Sequence, residues 1–339
     1  RAAKNGVILK GGAVLEVLAR VKSAAFDKTG TITLGRPEVV SIDTTGEYSE
    51  TEVLQLAAST EQYSSHVLAE AVVRAARTQD LELEGAVDAK ETAGAGIEAT
   101  VGDHHVVVGN IRLLQTHSEQ DFVPFKHDSE AVAHVMIDGQ YAGALVLADE
   151  IRPHSHSVIA WLKNNGVENV AMVTGDSSPA VQVIADEAGV TTIYAGLKPK
   201  EKVERVAELE PRPTLMVGDG VNDAPALAAA DVGLAMGGRG ATAAGEAADG
   251  VIMADQISKV ADAVAISKDT LRVALTSIWL GIILSVGLML IATTGAIPAL
   301  AGALTQEFVD LAAILYALRA LTGQLPRLDQ EEGKPLPAA

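Results

Sequence analysis

Three apolar segments of this chain each end in a loop built largely from aspartate and glycine. The segments are residues 21–26, 171–173 and 214–217. The loops read Asp-Lys-Thr-Gly-Thr (27–31), Thr-Gly-Asp (174–176) and Gly-Asp-Gly-Val-Asn-Asp (218–223). A buried strand that stops at a polar loop is typical of open α/β sheets, which bind ligands at the carboxyl ends of their strands. The sequence therefore predicts a parallel sheet that brings four carboxylates to one edge, those of Asp27, Asp176, Asp219 and Asp223.

The residue types in these loops favour chemistry on phosphate. Clustered carboxylates repel one another unless a cation lies among them, and oxygen ligands suit Mg²⁺, which is often shared with phosphate groups. A carboxylate can attack phosphorus and become an aspartyl phosphate. Thr29 and Thr174 offer hydroxyl groups, and a lysine can neutralise charge on the transferred group. One Asp-Gly pair after a strand is an ordinary turn, but three such junctions in one chain favour a phosphoryl-transfer site.

The same loops resemble the phosphorylation-domain signatures of P-type ATPases, which share the haloacid dehalogenase core. The matching stretches are DKTGT (27–31), TGD (174–176) and GDGVNDAPAL (218–227). The resemblance implies that ATP phosphorylates Asp27, and that Asp27, Asp219 and the backbone of Thr29 hold Mg²⁺. Lys202 lies where the family has its phosphate-neutralising lysine. The remaining roles that the resemblance implies are support of the magnesium site by Asn222 and Asp223, and contacts to the phosphoryl group and nucleotide by Thr174, Gly175 and Asp176.

One position separates a pump from a phosphatase. Phosphatases of the dehalogenase superfamily carry a second aspartate two residues after the nucleophile as general acid and base. This chain has Thr29 there, so the aspartyl phosphate is expected to persist, as a transport cycle requires. Two alternatives stay open at this point: a membrane-anchored phosphatase of the superfamily, and a degenerate regulatory subunit.

Residues 38–141 interrupt the predicted core and read as an inserted domain, which in the resembled family binds ATP. This block keeps most of the nucleotide signature of the heavy-metal class in order: Glu61, His66, Gly94, Gly96, Gly109 and Asn110. A histidine can stack on adenine or bond to it, and a Gly-x-Gly segment lets backbone approach phosphate. The family usually has proline after the histidine, whereas this chain has Val67. That departure is the only support for a degenerate subunit.

Two apolar segments near the carboxyl end are long enough to cross a membrane. They cover about 271–293 and 296–318, and about 20 apolar residues span the hydrocarbon core. Basic residues flank the pair, which places both ends in the cytoplasm. Glu307 and Asp310 lie three residues apart within the second segment, and charged groups at membrane depth mark ion pathways. They are candidate ligands of the transported ion; a shifted helix with both groups near the interface is the alternative.

These predictions combine into an α/β architecture. Residues 1–37 and 142–262 would form a discontinuous, haloacid dehalogenase-like (Rossmann-like) phosphorylation domain, with an inserted α+β nucleotide-binding domain at 38–141. Two transmembrane helices (263–320) and a cytoplasmic tail (321–339) would follow. The resemblance to the heavy-metal (type IB) class implies ATP and Mg²⁺ as cofactors, a divalent heavy-metal cation as cargo and a lipid bilayer as environment. Since the chain begins at Arg1, we expect a longer polypeptide with earlier helices and an actuator domain.

Composition narrows the possible partners and sites. The net charge of -18 argues against nucleic acid, because binding to its phosphates requires lysine and arginine. Cysteine is absent, so this stretch forms neither disulfides nor thiolate metal sites. Around Glu307 and Asp310 the sequence does not match the copper, zinc or cobalt patterns of the family. Their oxygen ligands favour harder or borderline divalent ions over Cu(I).

Overall fold

The computed structural model describes residues 1–118, 121–127, 131–177, 180–219, 223–237, 246–295, 297–326 and 328. In these residues the strands are β1 (Val7–Leu9), β2 (Ser23–Phe26), β3 (Thr33–Thr44), β4 (Ala86–Thr92), β5 (Gly96–Val101), β6 (His104–Gly109), β7 (Ala131–Ile137), β8 (Gln140–Ile151), β9 (Asn169–Val173), β10 (Thr192–Tyr194), β11 (Thr214–Gly218), β12 (Val232–Met236) and β13 (Gly250–Ile252). The helices are α1 (Gly12–Ala19), α2 (Glu50–Glu61), α3 (Val67–Thr78), α4 (Ile111–His117), α5 (Ser155–Asn164), α6 (Ala180–Ala188), α7 (Pro199–Ala207), α8 (Ala224–Ala229), α9 (Ser258–Thr293) and α10 (Ala299–Ala317).

The chain divides into two compact units. The first unit contains Arg1–Thr31, Arg152–Gly175 and Glu187–Ala339. The second unit contains Ile32–Ile151 together with Asp176–Asp186.

The first unit is built on a seven-stranded sheet in the order β1-β13-β12-β11-β2-β9-β10. Neighbouring strands are parallel, except that β1 runs antiparallel to β13 at the edge. Strands β2, β11 and β12 are buried along their whole length, which explains why they read as continuous apolar runs rather than as alternating ones. Aliphatic side chains fill the core on one face, including Ala25, Ala171, Met216 and Leu227. The predicted α/β sheet is confirmed.

The second unit is a six-stranded antiparallel sheet in the order β3-β8-β7-β6-β5-β4, with α2 and α3 packed on one face. Helix α2 begins with a reciprocal cap, since the side chain of Ser49 bonds the backbone of Glu52 and the Glu52 carboxylate bonds the backbone of Ser49. Such caps satisfy backbone donors that would otherwise lack partners. An aromatic cluster of Phe122, Phe125 and Tyr141 packs with Met136.

The domain boundaries differ from those that the sequence predicted. Strand β8 was expected to resume the phosphorylation domain from residue 142, but it pairs with β3 and β7 in the sheet of the second unit. The boundaries therefore fall after Thr31 and Ile151 instead of near Pro37 and Tyr141. The apolar pattern shows that a strand is buried but does not identify its pairing partner, so sequence could not place this strand.

Among the described residues, two helices are long and apolar enough to cross a membrane, Ser258–Thr293 and Leu300–Leu321. The first, α9, begins inside the first unit, where its early residues are buried and pack against α1 and α5. Lys268 of this helix donates to the backbone oxygen of Asn165. Beyond Arg272 most of its side chains are exposed, as expected for a surface that faces lipid or other helices.

Candidate active site

The loops singled out in the sequence meet at the carboxyl edge of the parallel sheet. Strand β2 lies between β9 and β11, and its last residue, Phe26, is level with Met172 and Val217. The backbone N–H of Asp27 donates to the oxygen of Val217 at 2.9 Å. Asp27 therefore leaves the sheet directly beside the loop that begins at Asp219.

The loop after Asp27 turns back tightly against Asp219. Gly30 has φ of +74°, and a Cβ there would lie 3.1 Å from the Asp219 Oδ2. The Gly30 carbonyl accepts a hydrogen bond from the buried Arg152 guanidinium at 2.9 Å, and Arg152 also pairs with Asp255 at 2.8 Å. The loop is thus fixed from two sides, while the side chain of Thr29 is exposed.

Lys202 binds two carboxylates at this edge. It lies near the start of α7, whose first residue is Pro199, and its Nζ is 2.7 Å from the Asp27 Oδ1 and 2.5 Å from the Asp223 Oδ1. All three side chains are nearly buried. Burial raises the pKa of the Asp27 carboxyl to about 6, and the Asp223 carboxylate contributes to the rise while Lys202 opposes it. Burial alone would lower the pKa of the Lys202 ammonium, but the two carboxylates raise it above its usual value.

One carboxylate oxygen of Asp223 has no hydrogen-bond partner among the residues that the structure describes. This oxygen, Oδ2, is buried. Gly218 allows the side chain to come this close, because a Cβ there would overlap the carboxylate. An unpaired buried carboxylate oxygen has lost its hydration without compensation, so it favours a cation in this region.

The donor set fits Mg²⁺, although no complete metal cage is present. No group of three histidine, cysteine, aspartate or glutamate side chains is arranged to hold a metal in the part of the chain that the structure describes. Mg²⁺ commonly takes one or two protein carboxylates and completes its shell with water and substrate phosphate. Asp27 and Asp219 with the Thr29 carbonyl would form such a partial set.

The remaining residues expected at this edge have different placements. Thr174 is buried, its N–H donates to the Tyr194 oxygen and its carbonyl accepts from Leu197. Gly175 follows directly, and a Cβ there would lie 3.3 Å from the Leu197 oxygen. Asp176 begins the segment that belongs to the second unit. Asn222 lies outside the described residues.

A pocket in the second unit gathers every residue of the predicted nucleotide signature. The pocket has about 610 Å³ of empty space, part of which is open to solvent. Its lining consists of Glu61, Ser64, His66, Leu68, Glu91, Thr92, Gly94, Ala95, Gly96, Gly109, Asn110, Val132 and Ala133.

Glu61 is the buried carboxyl group of this pocket. It is the last residue of α2 and is 8% exposed. Burial raises the pKa of Glu61 to about 7, the Ser64 side chain opposes the rise and the Glu91 carboxylate adds to it. Near neutral pH the group can therefore either accept or donate a hydrogen bond.

His66 and Asn110 cap the helices that start at the pocket. The Nδ1 of His66 accepts from the Leu68 N–H at 3.3 Å, and the Asn110 Oδ1 accepts from Leu113 at 3.0 Å. Val67 is the first residue of α3, a position where proline is favoured because its N–H has no partner within the helix. The ψ of His66 is 144°, which suits a residue before proline. Valine therefore preserves the helix start.

The glycines of the pocket allow backbone conformations and contacts that a larger residue would block. Gly96 and Gly109 are opposite each other in the β5–β6 pair, and a Cβ on either would overlap the backbone of the other. Gly94 has φ of +71° with open space around it, and its carbonyl accepts from the Asn110 side chain at 3.2 Å. The pair permits close strand contact, and Gly94 permits the turn.

Comparisons with known proteins agree with this geometry. The family model of haloacid dehalogenase-like hydrolases matches residues 21–231. A zinc-transporting ATPase of Synechocystis is 39% identical over 94% of this chain and 44% of its own length. A cadmium, zinc and cobalt-transporting ATPase of Bacillus subtilis is 37% identical over 94% of this chain and 46% of its own length. The crystal structure of a zinc-transporting PIB-type ATPase in the E2.Pi state superposes with a TM-score of 0.83, at 33% identity, over 94% of this chain and 53% of that one.

The chain belongs to the heavy-metal P-type ATPases. Its haloacid dehalogenase-like core and two membrane-length helices are as the sequence predicted, and the membrane location is confirmed with them. The chain spans about half the length of the curated relatives it matches.

The acidic residues of α10 lie near the middle of that helix. Glu307 and Asp310 are both exposed in the structure. The side-chain amide of Gln306 donates to the Asp310 Oδ1 and to the Ser285 Oγ of α9, each at 3.0 Å. Polar groups thus meet between the two helices at this depth.

Several residues that line this pocket were not identified from the sequence. Glu91 and Thr92 on β4, and Val132 and Ala133 on β7, come from strands that no motif identified. The placement of β7 depends on its pairing with β6 and β8. The one available signal was the pair Ser64-Ser65 beside His66, which offers two hydroxyls for an acidic partner.

Proposed function

We propose that the protein containing this chain uses ATP to move a heavy-metal cation across a membrane through an aspartyl phosphate on Asp27. The observation that supports this most directly is the buried Lys202 ammonium bound to the carboxylates of Asp27 and Asp223 at the sheet edge. A carboxylate nucleophile beside a fixed cation can approach a phosphate that would otherwise repel it.

The reaction would proceed by in-line displacement. A carboxylate oxygen of Asp27 attacks the γ-phosphorus of ATP, the bond from that phosphorus to the β–γ bridging oxygen breaks, and ADP leaves. The new bond is an acyl phosphate on Asp27. Lys202 offsets the negative charge that gathers where nucleophile and phosphate meet. The hydrogen bond from Arg152 to the Gly30 carbonyl holds the loop that follows Asp27, and with it the nucleophile, in position.

Asp27, Asp219 and the backbone carbonyl of Thr29 would hold Mg²⁺. When bound, the ion neutralises phosphate oxygens and orients them for displacement. Thr29 has no acid or base group, so the acyl phosphate is not hydrolysed from this position. Water would reach it with help from another domain of the whole protein, which couples hydrolysis to transport.

The nucleotide base would occupy the pocket of the second unit. Glu61 can bond to an exocyclic amino group or a ring nitrogen of adenine, and the ring of His66 can stack on it or donate to it. The Gly94 turn leaves space for sugar and phosphate. Val67 does not oppose this proposal, because the helix start at His66 is intact.

The transported ion would be a divalent metal bound in part by Glu307 and Asp310. Burying a charged carboxylate near the centre of a membrane helix costs free energy, and such residues usually mark an ion pathway. Their oxygen donors suit borderline and hard divalent ions better than Cu(I). The two relatives described above are named for zinc, and for cadmium, zinc and cobalt.

Labelling with [γ-³²P]ATP tests the phosphorylation step. The 339-residue chain, in detergent with Mg²⁺, should retain label after acid quenching and lose it in hydroxylamine, as acyl phosphates do. Asp27→Asn should carry no label, and Asp103→Asn, which changes an exposed aspartate of a hairpin turn, is the matched control. Hydroxylamine-resistant label, or equal label in Asp27→Asn, would contradict the proposal. Turnover of a small phosphate ester without ATP would instead support a phosphatase.

Metal-stimulated ATPase activity of the whole protein tests the cargo. We expect stimulation by one or more of Zn²⁺, Cd²⁺, Co²⁺ and Mn²⁺, with little by Cu⁺. Glu307→Gln and Asp310→Asn should reduce the stimulation while labelling of Asp27 by ATP is retained. Unchanged stimulation in both variants would remove these residues from the ion pathway.

A further inference from the structure

The loop between α2 and α3, residues 62–66, is fixed by a carboxylate from another part of the sheet. Glu91 on β4 accepts the Ser64 hydroxyl on Oε1 at 2.7 Å and the Ser65 N–H on the same oxygen at 3.3 Å. Its Oε2 accepts the Ser65 hydroxyl at 3.2 Å. One side chain therefore holds two successive residues, 26 and 27 positions away in sequence.

Ser64 also contacts His66, so the hydrogen bonds of Glu91 are connected to that residue. The backbone N–H of His66 donates to the Ser64 Oγ at 3.2 Å, and the His66 Nδ1 accepts from the Leu68 N–H. His66 is thus held at its backbone N–H and at the Nδ1 of its ring. The Ser64 hydroxyl is the main reason that the pKa of Glu91 lies below its usual value, as expected when hydrogen bonds favour the charged form.

The negative charge of Glu91 does not by itself explain why a glutamate lines this pocket. A carboxylate that lines a pocket for an anionic nucleotide repels its phosphates, and Glu91 also disfavours ionisation of Glu61. Removing a purely electrostatic contribution would therefore tighten nucleotide binding. Any benefit of Glu91 must come from the geometry that it gives to the loop.

We propose that Glu91 is a positioning residue for nucleotide binding, which acts by anchoring Ser64 and Ser65 so that the His66 ring faces the pocket. The inference rests on the proposed function, because it assumes that the pocket receives ATP. Binding groups whose rotamers are fixed by surrounding hydrogen bonds lose less entropy when the ligand binds.

A double-mutant cycle tests whether Glu91 acts through His66. ATP affinity would be measured by calorimetry on the full 339-residue chain in nanodiscs, for Glu91→Ala, His66→Ala and the double variant. We expect Glu91→Ala to raise Kd about tenfold, but less than about twofold in the His66→Ala background, because coupled residues are not additive. Glu91→Gln keeps an acceptor for Ser64 and should recover part of the affinity. Asp88→Asn, an exposed acid on the same strand, should bind ATP as the unsubstituted chain does.

Hydrogen exchange of the nucleotide-free chain gives a second readout. A peptide covering residues 62–70 should exchange about tenfold faster in Glu91→Ala than in the unsubstituted chain, because the anchored turn opens more often. If the unsubstituted chain bound no ATP, the proposed function would fail, and exchange would still decide whether Glu91 holds the loop. The inference is overturned by unchanged exchange, by unchanged or tighter ATP binding in Glu91→Ala, or by equal losses in both backgrounds.

Discussion

Glu61 destabilises the second unit when it is ionised, and replacing it should reveal by how much. Its carboxyl has a pKa of about 7 in the folded chain, against 4.5 for the ordinary group, mainly because of burial. A group with a raised pKa contributes stability that is complete below pH 4.5 and is lost as pH rises through 7. A rise of this size corresponds to a loss of about 3 kcal/mol at alkaline pH.

Glu61→Gln removes the ionisation and keeps the size and polarity of the side chain. Because the buried amide has a desolvation cost of its own of about 1 kcal/mol, we expect a net gain of about 2 kcal/mol at pH 8. For a unit of this size that gain raises Tm by about 6 °C. Near pH 4.5 the folded Glu61 carboxyl is protonated, so the gain should disappear and the desolvation cost of the amide should leave the variant slightly less stable. ATP affinity should fall in the variant, since the pocket loses its titratable contact to the base.

Differential scanning calorimetry of the full chain between pH 4.5 and 8 measures this difference. The transition of the second unit is identified as the one that ATP shifts upward. Glu82→Gln, an exposed acid in the same unit, is the control and should leave the profile parallel to that of the unsubstituted chain. If Glu61→Gln were no more stable at pH 8, or if its advantage did not depend on pH, burial would not be the origin of the raised pKa.

Three further predictions concern the other positions. Lys202→Met leaves two buried carboxylates without a counter-ion, so urea denaturation should show a loss of about 3 kcal/mol, and the label from [γ-³²P]ATP should disappear. Val67→Pro should raise the free energy of unfolding by about 0.5 kcal/mol with ATP affinity unchanged, because His66 already has the required backbone; weaker binding by calorimetry would contradict this. Gly109→Ala drives a Cβ into the backbone of Gly96, so thermal unfolding should show a loss of about 2 kcal/mol and ATP titration should show weak binding.

The active-site edge was readable from the sequence because its signals are local. Each strand there is a short apolar run, and the polar residue that ends it is the next one in the chain, so the junction at Asp27 needs no long-range information. Parallel strands then place such junctions at one edge whatever their order.

Partnerships between distant residues were beyond the sequence. The order of β8 among its neighbours, the ion pairs of Lys202 with Asp27 and Asp223, and the hold of Glu91 on Ser64 all join segments far apart in the chain. None of these contacts changes the local sequence pattern. The sequence of a buried strand, or of the segment around an acidic residue, does not depend on which distant residue it contacts in the fold.

The sequence by itself determined the class of fold and the presence of membrane-length helices, and it predicts Asp27 as the nucleophile. Spacing, apolar runs and motif order depend only on neighbours along the chain. The tertiary structure alone decided the domain boundary at Ile151, the raised pKa values of Asp27 and Glu61, and the anchoring of His66. Those properties arise from burial and from the distances between groups brought together by folding, and neither quantity exists until the chain is packed.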